Sequence, residues 1–188
     1  MKFLAFISLM LCAFSTWATK WPVEETVTKI SENGNLIARL TSGSYPDSKI
    51  QAHNASIAIY KWEIENGYVF SHTIYLPYRF SPLNFVIANS GYVLTIDKPV
   101  AEETGPAAAI FDDSGVMIKD FTIEQLLPSK KDNKHLIFND VRRFYRWSCG
   151  VPTDFGDEIA APHLKGAIIF HMKEARIENL RIEDSTCE

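Results

Sequence analysis

The stretch from Pro82 to Phe121 constrains the fold more than any other part of the chain. It runs Pro82-Leu83-Asn84-Phe85-Val86-Ile87-Ala88, then Asn89-Ser90-Gly91, then Tyr92-Val93-Leu94-Thr95-Ile96-Asp97. After an irregular segment come Ala107-Ala108-Ala109-Ile110-Phe111, the cluster Asp112-Asp113-Ser114-Gly115, and Val116-Met117-Ile118-Lys119-Asp120-Phe121. Short apolar runs alternating with Asn, Asp, Ser and Gly are the pattern of antiparallel strands joined by tight turns.

Upstream the pattern recurs. Thr26 to Ile30 alternates as a strand, Ser31-Glu32-Asn33-Gly34 offers a turn, and Asn35 to Leu40 returns. Asn-Gly suits the positive backbone angles of a type I′ hairpin. Within Ile50 to Ile64, Tyr60, Trp62 and Ile64 share one face, and the period of two predicts a half-buried strand. Glu65-Asn66-Gly67 turns the chain, and Tyr68 to Leu76 comes back with Phe70, His72, Ile74 and Leu76 on one face. Ser31 to Leu40 matches Ala88 to Asp97, each a Gly-containing turn that introduces a strand. Ile59-Tyr60 and Ile110-Phe111 occupy corresponding strand ends. The offset of roughly 50–60 residues falls in the range of propeller-blade repeats. A third unit is expected with Asp140 to Trp147 first, Gly166 to Met172 in the middle and Ala175 to Ile182 last. Between units two and three, Thr122 and Gln125 fit a capping box, and Pro128 ends that turn of helix.

The succession "GYVLTID", "IFDDSG", "MIKDFTIEQLLP" and "RRFYRW" resembles small secreted bacterial proteins built from β-propeller-like (WD40-like) repeats. The resemblance covers Thr26 to Ile182 and rests on turns and strand ends. It implies an all-β fold of antiparallel strands in two to three propeller-like units, and it supplies no catalytic residues. Three units are fewer than the usual four to eight blades. An incomplete ring leaves strand edges open, and pairing with another chain is one remedy.

Residues 1–18 read as a signal peptide, leaving a single β-rich domain over 19–188 and a secreted or periplasmic location. Lys2 starts the segment, Phe3 to Phe14 is apolar, and Ser15-Thr16-Trp17-Ala18 places small residues before a cut. A membrane anchor is the alternative, but the apolar run is shorter than the ~20 residues that span a bilayer, and no later stretch is long enough. Lipidation at Cys12 is disfavoured by the preceding Leu11. Cleavage leaves 18 basic and 23 acidic side chains, a net charge of −5 with His neutral. With no basic patch, nucleic acid is not the expected partner. In an oxidising compartment Cys149 and Cys187 form the expected disulfide, closing a loop worth roughly 3–4 kcal/mol in the chain-entropy account. Asn54-Ala55-Ser56 matches a glycosylation acceptor in a eukaryotic host.

Candidate chemistry is sparse. A Cys149 nucleophile with His163 or His171 as base and Asp154, Asp157 or Glu158 as orienting group would make an extracytoplasmic hydrolase; the disulfide is the competing reading. No histidine or cysteine pair stands at transition-metal spacing, and no cofactor is expected. The loop Asp154 to Glu158 lacks EF-hand spacing, and a solvated turn is its competing reading. Asp112-Asp113 reads as a turn. There is no Gly-x-Ser-x-Gly elbow and no phosphate-cradling glycine loop. The most unusual local composition is Arg142-Arg143-Phe144-Tyr145-Arg146-Trp147. Arg, Tyr and Trp are enriched at interaction hot spots, so Arg142, Arg143, Tyr145, Arg146 and Trp147 are the candidate partner surface. Burial of Trp147 and Phe144 is the alternative. The expectation is a non-enzymatic interaction module for a protein or cell-envelope partner, or for a second copy paired through open strand edges.

Overall fold

The computed structural model describes residues 26–43, 53–78, 81–82, 84–96, 106–127 and 144–181, together with 137–139; for 137–139 and 144–146 only the backbone is described. The fold is all-β, with one short helix among the described residues. Three four-stranded antiparallel sheets are each built from consecutive strands. The first holds β1 (Val27–Ile30), β2 (Leu36–Thr41), β3 (Ser56–Glu63) and β4 (Gly67–Tyr75). The second holds β5 (Asn84–Ile87), β6 (Val93–Ile96), β7 (Ala108–Phe111) and β8 (Met117–Phe121). After α1 (Ile123–Leu126) and the hairpin of β9 (Ile137–Asn139) with β10 (Phe144–Arg146), the third sheet holds β11 (Thr153–Phe155), β12 (Glu158–His163), β13 (Gly166–His171) and β14 (Arg176–Arg181).

The sheets stack in chain order, and the order is written in the burial pattern. One core joins Leu36, Leu40, Ile57, Ile59 and Ile74 of the first sheet to Phe85, Ile87, Val93 and Phe111 of the second. The other joins Leu94, Ile96, Ala108, Ile110 and Phe121 of the second to Ile159, Ala161, Ile168 and Phe170 of the third. The second sheet is thus covered on both faces, and β6 and β7 are buried at every position. In the flanking sheets β2 and β12 alternate between buried and accessible, as strands with one covered face must. The stack is an open, propeller-like arrangement, and the described sheets close no barrel.

The repeat is legible in the register. Ile30 pairs with Ile37, which pairs with Tyr60; Ile87 pairs with Val93, which pairs with Phe111; Asp154 pairs with Ile159, which pairs with Phe170. Directly paired residues share a face, so these are three equivalent rows, one per sheet. The first two sheets also share an irregularity one step further on, between Ile59 and Tyr60 and between Ile110 and Phe111. The turn of the first unit is one residue longer than that of the second. Ser31 N–H donates to Leu36 O, whereas Ala88 N–H donates to Tyr92 O, so Leu36 corresponds to Tyr92.

Two expectations are corrected. The third sheet begins at Thr153, not in Asp140 to Trp147; β10 pairs instead with β9 in a separate hairpin. The aromatic face of β3 is the outer one. The inward residues are Ile57 and Ile59, whereas Trp62 is 51% and Ile64 94% exposed. In β4 the pairing jumps from His72 to Phe70 across Ser71, so Phe70 turns outward beside Tyr60 while Ile74 stays buried. A bulge of this kind inverts the face of every residue beyond it. The helix forms as expected: Thr122 Oγ1 accepts from Gln125 N–H and Gln125 Oε1 accepts from Thr122 N–H, with Leu126 buried beneath.

Candidate functional site

The first turns of the three sheets converge. Asn89 holds them together: its Oδ1 accepts from Asn33 N–H at 3.0 Å, its Nδ2 donates to Glu32 Oε2 at 3.1 Å, and its N–H donates to Gly156 O at 2.9 Å. Ser90 N–H donates to Asp157 Oδ1 at 2.9 Å, and Asp157 is paired with Lys173. Burial works against the Asp157 carboxylate, but Lys173 and Ser90 outweigh it and hold its pKa below the ordinary value. Asp154 goes the other way. It stands in the row position that Ile30 and Ile87 fill in the other sheets, and burial pushes its pKa up. The N–H groups of Glu32 and Gly156 oppose the shift, while the charges of Glu32 and Asp157 add to it. Among the described residues no group of three or more His, Cys, Asp or Glu is arranged to hold a metal ion. The cluster is a junction between sheets with an ionisable group in an apolar row.

The sign of that mismatch is testable. A carboxyl with a raised folded-state pKa weakens the fold wherever it is ionised, and the penalty disappears as pH falls through the folded value. Asp154→Ile, which restores the row residue of the other sheets, is expected to stabilise the protein at neutral pH. Apolar burial alone contributes about 1 kcal/mol. The advantage shrinks as pH is lowered into the carboxylate range. Urea unfolding of both proteins across pH reads it, and a variant less stable than the parent at neutral pH would refute the assignment.

A cluster of large exposed side chains among the described residues lies elsewhere, on the outer face of the first sheet. Tyr60 and Phe70 meet edge to face with centroids 5.8 Å apart, and Trp62 and Tyr68 do so at 5.1 Å. Phe70 is 56% and Tyr75 77% exposed, and Ile30 lies on the same face at 59%. Exposed contiguous apolar surface of this kind marks interaction sites, and aromatic side chains supply much of the energy in such contacts. The alternation in the sequence puts Tyr60 and Trp62 on one face, and the structure leaves that face uncovered by the second sheet.

The residues singled out from the sequence are dispersed. Trp147 is buried at 4%, its Nε1 donates to Ala107 O at 3.0 Å, and its ring packs against Phe170. It belongs to the core and leaves the candidate partner surface. Arg142 and Arg143 lie outside the described residues, and Tyr145 and Arg146 are placed by backbone alone, in β10. Cys149 is buried, and its N–H donates to Pro162 O. Cys187 lies outside the described residues, as do residues 1–18. His163 and His171 project to opposite faces of the third sheet: His163 is in step with Ile159 and Ala161, whereas His171 pairs with Glu158. His171 Nδ1 is 2.9 Å from Glu158 Oε1 and its Nε2 3.5 Å from Glu178 Oε2. The two histidines thus stand apart, while Asp154 and Asp157 belong to the turn junction and Glu158 meets His171. Asn54 is exposed immediately before β3. No helix among the described residues is long and apolar enough to cross a membrane. No protein-family model matches the chain, and no curated protein is significantly similar to it.

Proposed function

We propose that the chain is a secreted or periplasmic, non-enzymatic interaction module of propeller-like repeats, similar in plan to the small bacterial repeat proteins its turns resemble. The observation that carries this reading is the aromatic outer face of the first sheet, where Trp62, Tyr68, Phe70 and Tyr75 are offered to solvent on a backbone fixed by four paired strands. Rigid strands hold such side chains at little entropic cost on binding, which favours a protein partner. In this reading Cys149 and Cys187 form a disulfide that ties the end of the chain to the third sheet.

Photo-crosslinking amino acids placed at Trp62 and Tyr75, in the source cells, test the proposal against a control at exposed Asp120 of the second sheet. Protein adducts are expected at the two face positions and not at the control. Absence of adducts at both face positions overturns the reading. The intact mass of the same protein, alkylated without reduction, is expected to show the chain from residue 19 with no alkyl group. Two alkylated cysteines would remove the disulfide.

A further inference from the structure

We infer that the partner of the open aromatic face is a second copy of this chain, and that two copies close into a six-bladed ring. The inference rests on the interaction reading above and names its partner. Within one chain the same kind of seam is made twice. The face of the first sheet carrying Leu36, Ala38, Leu40, Ile57 and Ile59 meets the face of the second carrying Ile87, Val93 and Phe111. The face of the second carrying Leu94, Ile96, Ala108 and Ile110 meets the face of the third carrying Ile159, Ile168 and Phe170. Register equivalence identifies the two faces left over. On the first sheet it is the row Ile30, Ile37 and Tyr60, equivalent to the buried rows Ile87–Val93–Phe111 and Asp154–Ile159–Phe170. On the third sheet it is the face of Ala160, Pro162, Ala167 and Ile169, equivalent to Ala38, Leu40, Ile57 and Ile59. Each leftover face is the type that the other mates with inside the chain.

Three further observations point the same way. Among the described residues both leftover faces expose large apolar side chains: Phe70 and Tyr75 on one, and Phe155 at 61% and Leu180 at 41% on the other, where they pair with Glu158 and Ala167. The faces differ in charge. The first carries Arg39 as its one charged side chain among the described residues; the third carries Glu158 and Glu178, together with Arg176 and His171. At the corresponding rows of the seams inside the chain, the position of Arg39 holds Thr95 and Ala161, and that of Glu158 holds Leu36 and Tyr92. Opposite charges thus appear on the two faces that are not mated within the chain. Finally, a head-to-tail contact gives a ring where its rotation closes and an open filament where it does not. Two chains give three and three sheets, six in all, within the four to eight blades of closed propellers, and three chains exceed it.

The test uses the chain from residue 19 at micromolar to hundred-micromolar concentration, by sedimentation and native mass spectrometry. The expected species is a dimer and nothing larger. Phe70→Glu spoils one face and Leu180→Glu the other; both sites occur in each seam of the ring, so each variant alone is expected to weaken association at least ten-fold. Mixed together they retain one intact seam, from the third sheet of Phe70→Glu to the first sheet of Leu180→Glu, and heterodimers are expected to reappear. That rescue also shows both variants folded. A wild-type monomer throughout, an open series of oligomers, or a dimer indifferent to both substitutions overturns the ring. A dimer lost with Phe70→Glu but kept with Leu180→Glu shows the aromatic face pairing with itself and also overturns it. A monomeric purified chain that still forms adducts with a different protein at Trp62 in cells refutes the ring and leaves the interaction reading standing. A monomer without adducts refutes both.

Discussion

Gly166→Ala is expected to cost about 3 kcal/mol or more, which for a domain of this size lowers the melting temperature by roughly 6–12 °C. Gly166 opens β13 with φ at +146°, a conformation that side chains rarely adopt. A Cβ there would stand 1.8 Å from the carbonyl oxygen of Leu180 and 2.9 Å from its carbonyl carbon. Those atoms are backbone of β14, so no rotamer change relieves the clash; the β13–β14 pairing must open at Gly166 and Arg181. Because Ile168 and Phe170 follow in the same strand, the damage reaches the core between the second and third sheets. Thermal unfolding followed by circular dichroism measures it, and an unchanged melting temperature would mean that β14 does not pair in this register.

Phe170→Ala is expected to cost about 3–5 kcal/mol. The side chain is fully buried and meets Phe121 edge to face at 5.7 Å and Trp147 at 6.4 Å, so its removal empties a junction of three rings. Phe111, its counterpart one sheet earlier, is buried to 1% exposure, and Phe111→Ala should cost a similar amount. Tyr60 is the third member of the equivalent set but stands on the uncovered face of the first sheet. In dilute, monomeric protein Tyr60→Ala should cost about 1 kcal/mol. Urea denaturation of the three variants with a common slope measures the contrast. Three equal losses would show that the outer face of the first sheet is covered within one chain. Above the association threshold the Tyr60→Ala loss should grow, because the ring covers that face.

The strand class, the turns and the repeat belonged to the sequence. Asn-Gly, Asn-Ser-Gly and Asp-Ser-Gly demand tight turns, and apolar runs between them leave a chain little choice but antiparallel strands. The capping box at Thr122 and Gln125 was equally local, since it needs only backbone N–H groups within one turn of helix. In β3 the period-two alternation also told which residues share a face. It did not tell which face is covered, because Tyr60, Trp62 and Phe70 are as apolar as Ile57 and Ile59. Only the neighbouring sheet decides that.

Tertiary structure decided the rest. The skip at Ser71 turns Phe70 outward, and nothing in the residues from Gly67 to Tyr75 announces it. Trp147 carried the composition of a hot spot, yet a long-range hydrogen bond to Ala107 and a ring contact with Phe170 place it in the core. The junction of Glu32, Asn89, Asp154 and Asp157 draws on turns from three sheets, so no spacing along the chain could show it. Local sequence determines conformations whose hydrogen bonds close within a few residues. Which surface is buried and which charge loses its water depend on contacts between distant segments.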